Sequence, residues 1–141
     1  MSVRYAELAD LHSLDLPEAA LEGMTADGID PEDHLDKAAG KINSYLRGRT
    51  RLPLVEPYPD EIVSANSALA AYSILSARGF DANSGSDHNV RMRYDDTMRW
   101  LKSFANGEVN IEFTADTTLA HDGGPIVRSQ CRDRAGWRFS R

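Results

Sequence analysis

Histidine side chains are the groups in this sequence best suited to bind a transition metal. The four histidines are dispersed, no two of them lie four positions apart, and no H-E-x-x-H segment is present. They are His12, His34, His88 and His121. This spacing predicts surface histidines rather than a metal site.

The single cysteine is the other candidate for chemistry. Cys131 lies among Arg128, Arg132 and Arg134, and these cations would lower the pKa of its thiol if they surround it. No histidine and acid accompany it in sequence, as a thiol nucleophile requires. One cysteine also permits no internal disulfide, which fits a reducing cytosol.

Two polar segments could be taken for ligand-binding loops. The acidic segment 27–33 lacks the spacing of a calcium loop and its glutamate at position twelve, so a turn followed by a helix cap is favoured. The glycine-containing segment 121–125 matches neither a P-loop nor a dinucleotide fingerprint and is interpreted as a turn.

Three arginines of one expected helix are a further candidate, this time for binding phosphate. On this helix, Asp95 and Asp96 lie between Arg91 and Arg93 on one side and Arg99 on the other. Side chains of both charges on one helix favour a solvated face over a phosphate-binding patch. We therefore expect neither an enzyme nor a bound cofactor.

Charge is distributed unevenly along the 141 residues, whose formal net charge is −6. Residues 1–36 carry ten acids and one base, for a net charge of −9. Residues 37–127 carry eleven acids and ten bases, for a net charge of −1. Residues 128–141 carry one acid and five arginines, for a net charge of +4. The two oppositely charged ends of the sequence favour contact with a charged surface, which could belong to another protein, a nucleic acid or a second copy of this chain. A solvated acidic face with a free tail is the alternative.

Apolar periodicity and capping residues predict five helices. The third should follow Asp30, with Pro31 in its first turn, because aspartate caps helices and proline suits that turn. The expected spans are residues 5–11, a second helix from Pro17, then 30–48, 60–79 and 87–105. The fold class expected is an all-α small bundle of four to five helices, with one domain spanning 1–106.

Residues 107–141 should form a short β segment followed by an extended basic arm. Val109, Ile111 and Phe113 alternate with polar residues as in a strand. Residues 114–141, the C-terminal arm, show no periodicity but contain large apolar residues, which favours ordering on assembly. The predicted assembly contacts are Val109, Ile111, Phe113, Ile126, Val127, Arg128, Arg132, Arg134, Trp137, Arg138 and Phe139.

Three segments resemble the Mu-like phage and prophage head–tail adaptor family, usually described as a domain of unknown function. Residues 38–54 are similar to its I-x-S-Y-L-x-x-R-Y-x-L-P-L signature. Residues 93–109 are similar to its R-Y-x-x-A-x-x-W-L-x-x-I-A-x-G segment, and residues 71–75 match the helix between them. The resemblance covers about residues 1–113.

This resemblance implies a structural connector in the virion neck, assembled in the host bacterial cytoplasm. The implied partners are the portal protein, other neck or tail-completion proteins, and copies of the same chain in a homo-oligomeric ring, which could be dodecameric. DNA would pass through the lumen without sequence-specific binding. No membrane is expected, because no signal peptide is visible and the longest apolar stretch, 68–72, is far short of the ~20 residues a span needs.

Two other classes of function remain as alternatives. A small DNA-binding regulator could use the basic arm, and strong salt-sensitive binding to random duplex DNA would identify it. The net charge of −6 and the lack of a basic recognition helix oppose this. A small enzyme is the weakest alternative, which a buried acid or histidine of strongly perturbed pKa would support.

Overall fold

Five helices make up the described part of the computed structural model, which covers residues 3–81 and 83–113. They are α1 (Leu8–Leu14), α2 (Glu18–Ala26), α3 (Pro31–Leu46), α4 (Asp60–Arg78) and α5 (Gly85–Ala105). The predicted all-α bundle is confirmed. No helix in these two ranges is long and apolar enough to cross a membrane.

The helix ends follow the capping residues of the sequence. Asp30 caps α3 as predicted, its carboxylate accepting the Glu32 N–H at 3.0 Å, with Pro31 in the first turn. The first helix begins three residues later than predicted. Its start is fixed by Asp10, which accepts the Glu7 N–H at 2.8 Å, while Tyr5 before it is buried in non-helical backbone.

Helix α4 is the centre of the bundle and packs against α1, α3 and α5. Small side chains allow neighbours to approach it on several sides, and the following members are buried: Ile62, Ala65, Asn66, Ser67, Ala68, Leu69, Ala70, Ala71, Ile74 and Leu75. Buried apolar residues of the other helices complete one continuous core. Burying apolar surface in this way is the main force that holds the bundle together.

Asn66 connects three parts of this core from within α4. Its side-chain oxygen accepts the Tyr5 N–H at 2.9 Å, and its amide donates to the Leu35 carbonyl at 3.1 Å. The side chain is fully buried. Because a buried amide must be hydrogen-bonded to avoid a desolvation cost, these bonds fix the N-terminal segment and α3 on α4.

The connector between α3 and α4 is non-helical, with a turn and bends, whereas its prolines predict an extended segment. Gly48 follows the end of α3 with a φ of +94°, a conformation that suits glycine. Leu54 is buried and anchors the connector on the core. The peptide bonds before Pro53 and Pro57 are cis.

The predicted strand at residues 109–113 is not formed. This segment lies outside any helix or strand, and the one β-bridge in the described ranges joins Arg47 and Thr50. A strand needs a partner edge to pair with its backbone groups, and the described ranges provide none. Ile111 and Phe113 instead pack on the helical core and are half-buried.

Candidate assembly surface

Arg49 holds the root of the C-terminal segment, residues 107–113. One guanidinium nitrogen donates to the Phe104 carbonyl at 2.7 Å, and the other donates to the Asn110 side chain at 3.1 Å. The guanidinium also lies 4.9 Å from the centre of the Phe104 ring, within range for a cation–π contact. A cation here also suits the negative end of the α5 dipole.

Gly107 makes this approach possible. Its φ is +83°, which disfavours residues with a side chain. A Cβ atom at this position would lie 3.0 Å from the nearer nitrogen of Arg49. The glycine just beyond the end of α5 therefore leaves space for the arginine.

Aromatic rings complete the end of the bundle where the segment leaves α5. The Phe113 ring meets the Phe104 ring edge to face at 6.0 Å, and the Trp100 ring lies 6.4 Å from Phe104. Both geometries are favourable for aromatic pairs. The C-terminal segment is thus anchored as far as Phe113.

The predicted assembly contacts fall into two groups, those within the described residues and those outside them. Val109, Ile111 and Phe113 lie together on one short segment, and all three are half-buried. The remaining predicted contacts fall outside the described residues; they are Ile126, Val127, Arg128, Arg132, Arg134, Trp137, Arg138 and Phe139. The sequence did not identify Arg49 and Asn110 as contacts; the only signal was the position of Arg49 inside segment 38–54, which carries the family resemblance.

Arg93 is not part of a solvated face, which corrects the prediction for the α5 arginines. It donates to the Leu14 carbonyl at 2.8 Å and to the Ser64 hydroxyl at 2.9 Å. It also forms an ion pair at 2.9 Å with Asp15, whose side chain is fully buried. The prediction fits Arg99, which pairs with Asp96 on the exposed surface.

Two buried carboxylates have shifted pKa values in opposite directions. Burial raises the pKa of Asp15, and the Ser67 hydroxyl and the Arg93 charge offset this only in part. Burial acts the same way on Asp87, but the Asp81 N–H and the Arg78 guanidinium, 2.6 Å away, outweigh it and lower the pKa. Both carboxylates join helices, so their pKa shifts have a structural cause.

The histidines and carboxylates of the two described ranges form no group of three or more that could hold a metal ion. His34 contacts the Ser73 hydroxyl at 2.7 Å and is half-buried, so burial and the nearby Lys37 lower its pKa. His88 is exposed. His121 and Cys131 lie outside the described residues.

Most acids of the N-terminal region are already engaged within the fold. Glu32 and Asp36 both pair with Arg4 at 3.0 Å, and Asp33 pairs with Lys37. Asp10 and Asp30 cap helices, and Asp15 pairs with Arg93. Within the described ranges, the side chains of Glu18 and Glu22 on α2, and of Asp27 just after it, have no such partner.

The residues that carry the family resemblance hold helices together. The rings of Tyr72 on α4 and Tyr94 on α5 stack at 4.1 Å. Lys41 on α3 donates to the Tyr94 hydroxyl at 2.9 Å. With Arg93 and Arg49, these contacts join every helix except α2. The motif therefore encodes a packing arrangement, and the class it defines is a small all-α protein.

Residues 5–129 match the family described as Bacteriophage Mu, Gp36, and the chain belongs to this family. It is also similar to the Mu-like prophage FluMu protein gp36 of Haemophilus influenzae. The two are 28% identical over 115 residues, which cover 81% of this chain and 73% of the relative. The predicted membership of a Mu-like phage family is confirmed.

Proposed function

We propose that this Mu-like phage protein is a head–tail connector that forms a ring between the portal and the tail or the next neck protein. Its partners are the portal protein, other neck or tail-completion proteins, and copies of itself. It acts structurally, without catalysis, in the virion neck after assembly in the host cytoplasm. DNA passes through the ring without sequence-specific binding.

The anchored root of the C-terminal segment is the observation that carries this proposal. Arg49 and the aromatic cluster fix the chain as far as Phe113, so the residues that follow begin from a defined point on the bundle. A connector needs such a point, because an arm that starts from a fixed position reaches its partner at a lower entropic cost. The basic and apolar composition of residues 126–139 suits a protein surface.

The charge of the bundle supports passage of DNA rather than binding. The described residues carry eleven basic and nineteen acidic side chains, a net charge of −8. A surface of this sign repels phosphate and keeps DNA from adhering. It opposes the alternative of a DNA-binding regulator, for which binding must depend on a basic footprint.

Association with the portal tests the proposal directly. Full-length tagged chain and the portal protein of the same phage genome are produced together, and co-purification and particle assembly are measured. We expect co-purification, its loss on truncation after Asn106, and weaker association for Arg49→Ala. Arg51→Ala is the matched control, because Arg51 is an exposed arginine of the same segment between α3 and α4.

Two results together would remove the connector proposal. One is failure of the full-length chain to associate with its portal. The other is normal particle assembly after truncation at Asn106. Tight binding to random duplex DNA that falls steeply with salt would support the regulator instead.

A further inference from the structure

An apolar groove with an acidic rim lies where α1, α2 and the start of α3 meet. Its volume is about 490 Å³. Leu8, Leu21 and Pro31 line it with apolar surface, and Leu21 and Pro31 are buried. Glu18 and Glu22 stand on its α2 side, opposite the acids that begin α3.

The two α2 carboxylates lack a cation. Glu18 and Glu22 are four positions apart and therefore lie on the same face of the helix, where like charges destabilise it. Both are exposed and have no ion pair within the described ranges. Across the groove, Glu32 pairs with Arg4, and Asp30 is occupied as the α3 cap. The groove thus combines apolar walls with uncompensated negative charge.

His12 adds an unsatisfied polar atom to the same groove. Its ring lines the groove, and its Nδ1 atom is buried without a hydrogen-bond partner in the described part of the chain. Buried polar atoms are normally paired. Since Nδ1 is covered by the fold, the half-buried His12 ring presents only its remaining surface to an occupant of the groove.

The C-terminal arm has the complementary composition. Residues 128–141 carry five arginines and one acid, for a net charge of +4, and Trp137 and Phe139 lie between arginines. Tryptophan and arginine are the side chains that contribute most at protein interfaces. We propose that the groove between α1, α2 and α3 binds residues 126–139 of a second copy of this chain. This inference rests on the proposed ring.

The two surfaces lie at opposite ends of α3. The C-terminal segment is anchored by Arg49, just beyond the last residue of α3, whereas the groove lies at the first residues of α3. The 16 residues of α3 separate these ends by about 24 Å. Each copy thus has a donor surface at one end and an acceptor at the other, as a ring built from head-to-tail contacts requires.

The single cysteine provides a direct test with full-length chains. One chain carries a tag with Ala26→Cys and Cys131→Ser, so its only thiol stands at Ala26 on the exposed groove wall. The second chain is untagged and keeps Cys131. The two are mixed with and without portal protein, oxidised mildly, and separated without reductant. We expect a disulfide-linked heterodimer.

Two matched variants define the specificity of this crosslink. Ser44→Cys replaces Ala26→Cys as the control, because Ser44 is exposed on α3 far from the groove; it should give little heterodimer. Charge reversal with Glu18→Lys and Glu22→Lys should reduce the heterodimer yield by about tenfold. Arg132→Glu and Arg134→Glu in the second chain should restore it.

A heterodimer yield no higher than that of the Ser44→Cys control, both with and without the portal, overturns the inference. A third chain, which carries Ala26→Cys and keeps Cys131, tests the arm of the same copy. A disulfide that forms only within this chain also overturns the inference, because the occupant is then the arm of the same copy. Portal co-purification is scored separately. Normal portal binding without the crosslink removes this inference alone. Failure of the unmodified chain to bind the portal, together with normal particle assembly after truncation at Asn106, removes the connector proposal.

Discussion

Removal of Arg93 should expose the cost of a buried charge at the junction of α1, α4 and α5. Arg93 lies 2.9 Å from Asp15, whose side chain is fully buried, while the arginine itself is 36% exposed. The contact is an ion pair without the alignment of a hydrogen bond. The same guanidinium donates to Leu14 and Ser64. Arg93→Ala therefore leaves a buried carboxylate without its counter-charge.

The expected loss follows from the exposure of the two partners. Breaking a fully buried pair costs roughly 3–5 kcal/mol. Because water can reach the Arg93 side of the contact, we expect the free energy of unfolding to fall by about 2–3 kcal/mol. Urea unfolding followed by helical circular dichroism measures it. Arg99→Ala is the control: it removes an arginine of the same helix whose pair with Asp96 is exposed, and should change stability little.

The pH dependence of the stability loss caused by Arg93→Ala gives a second, independent readout. Burial raises the pKa of Asp15 in the folded state, above an unfolded value of about 3.9. A raised carboxyl pKa contributes stability that is fully present below the unfolded pKa and is lost as pH rises through the folded pKa. Arg93→Ala raises the pKa of Asp15 further, so the loss should be larger at about pH 7.5 than at about pH 4.5.

Two results would refute this reasoning. The first is an Arg93→Ala loss no greater than that of Arg99→Ala. The second is an equal loss at both pH values. In an Asp15→Asn background the carboxylate is absent, so Arg93→Ala should then cost less and its cost should no longer depend on pH.

Two further substitutions test the packing around α4 and the root of the C-terminal segment. Asn66→Ala should lower the free energy of unfolding by about 1–3 kcal/mol, because it leaves the Tyr5 N–H buried without a partner and removes the additional bond to the Leu35 carbonyl; a loss below about 0.5 kcal/mol in urea unfolding would contradict this. Gly107→Ala should destabilise the root of the C-terminal segment by about 1–2 kcal/mol, because the φ of Gly107 is +83° and the new Cβ would approach Arg49. Hydrogen exchange of residues 108–113 should accelerate in that variant, and unchanged exchange would contradict the expected displacement of Arg49.

The helices could be predicted because local signals agree with the packing. In α3 the cap at Asp30 and the apolar spacing of Leu35, Ile42 and Leu46 select one start and one buried face, and all three apolar residues are fully buried. The start of α5 was placed two residues late. Asp87 lies in the first turn and is buried against Arg78, 2.6 Å away, and burial of a charge depends on a partner that the local sequence does not identify.

The C-terminal segment could not be predicted from its pattern. Alternation of apolar and polar residues fits a strand, but it also fits an extended segment that packs one side on helices, as Ile111 and Phe113 do. What decides between them is whether a strand edge is available. The role of Arg49 was equally hidden, since its carbonyl partner at Phe104 is 55 positions away.

The acidic N-terminal region shows how folding changes the meaning of a charge count. The formal net charge of residues 1–36 is −9. This count treats every carboxylate as free to attract a partner. Six of the ten acids are engaged by caps or cations of the same chain, and four of these six have a cation beside them. Of the other four acids, Glu7 caps α1, whereas Glu18 and Glu22 lie on α2 and Asp27 directly follows it, so the negative charge without a partner among the described residues is concentrated at α2. A basic segment should therefore be steered to α2 rather than to the N-terminal region as a whole, because a cation gains most where no cation is already in place.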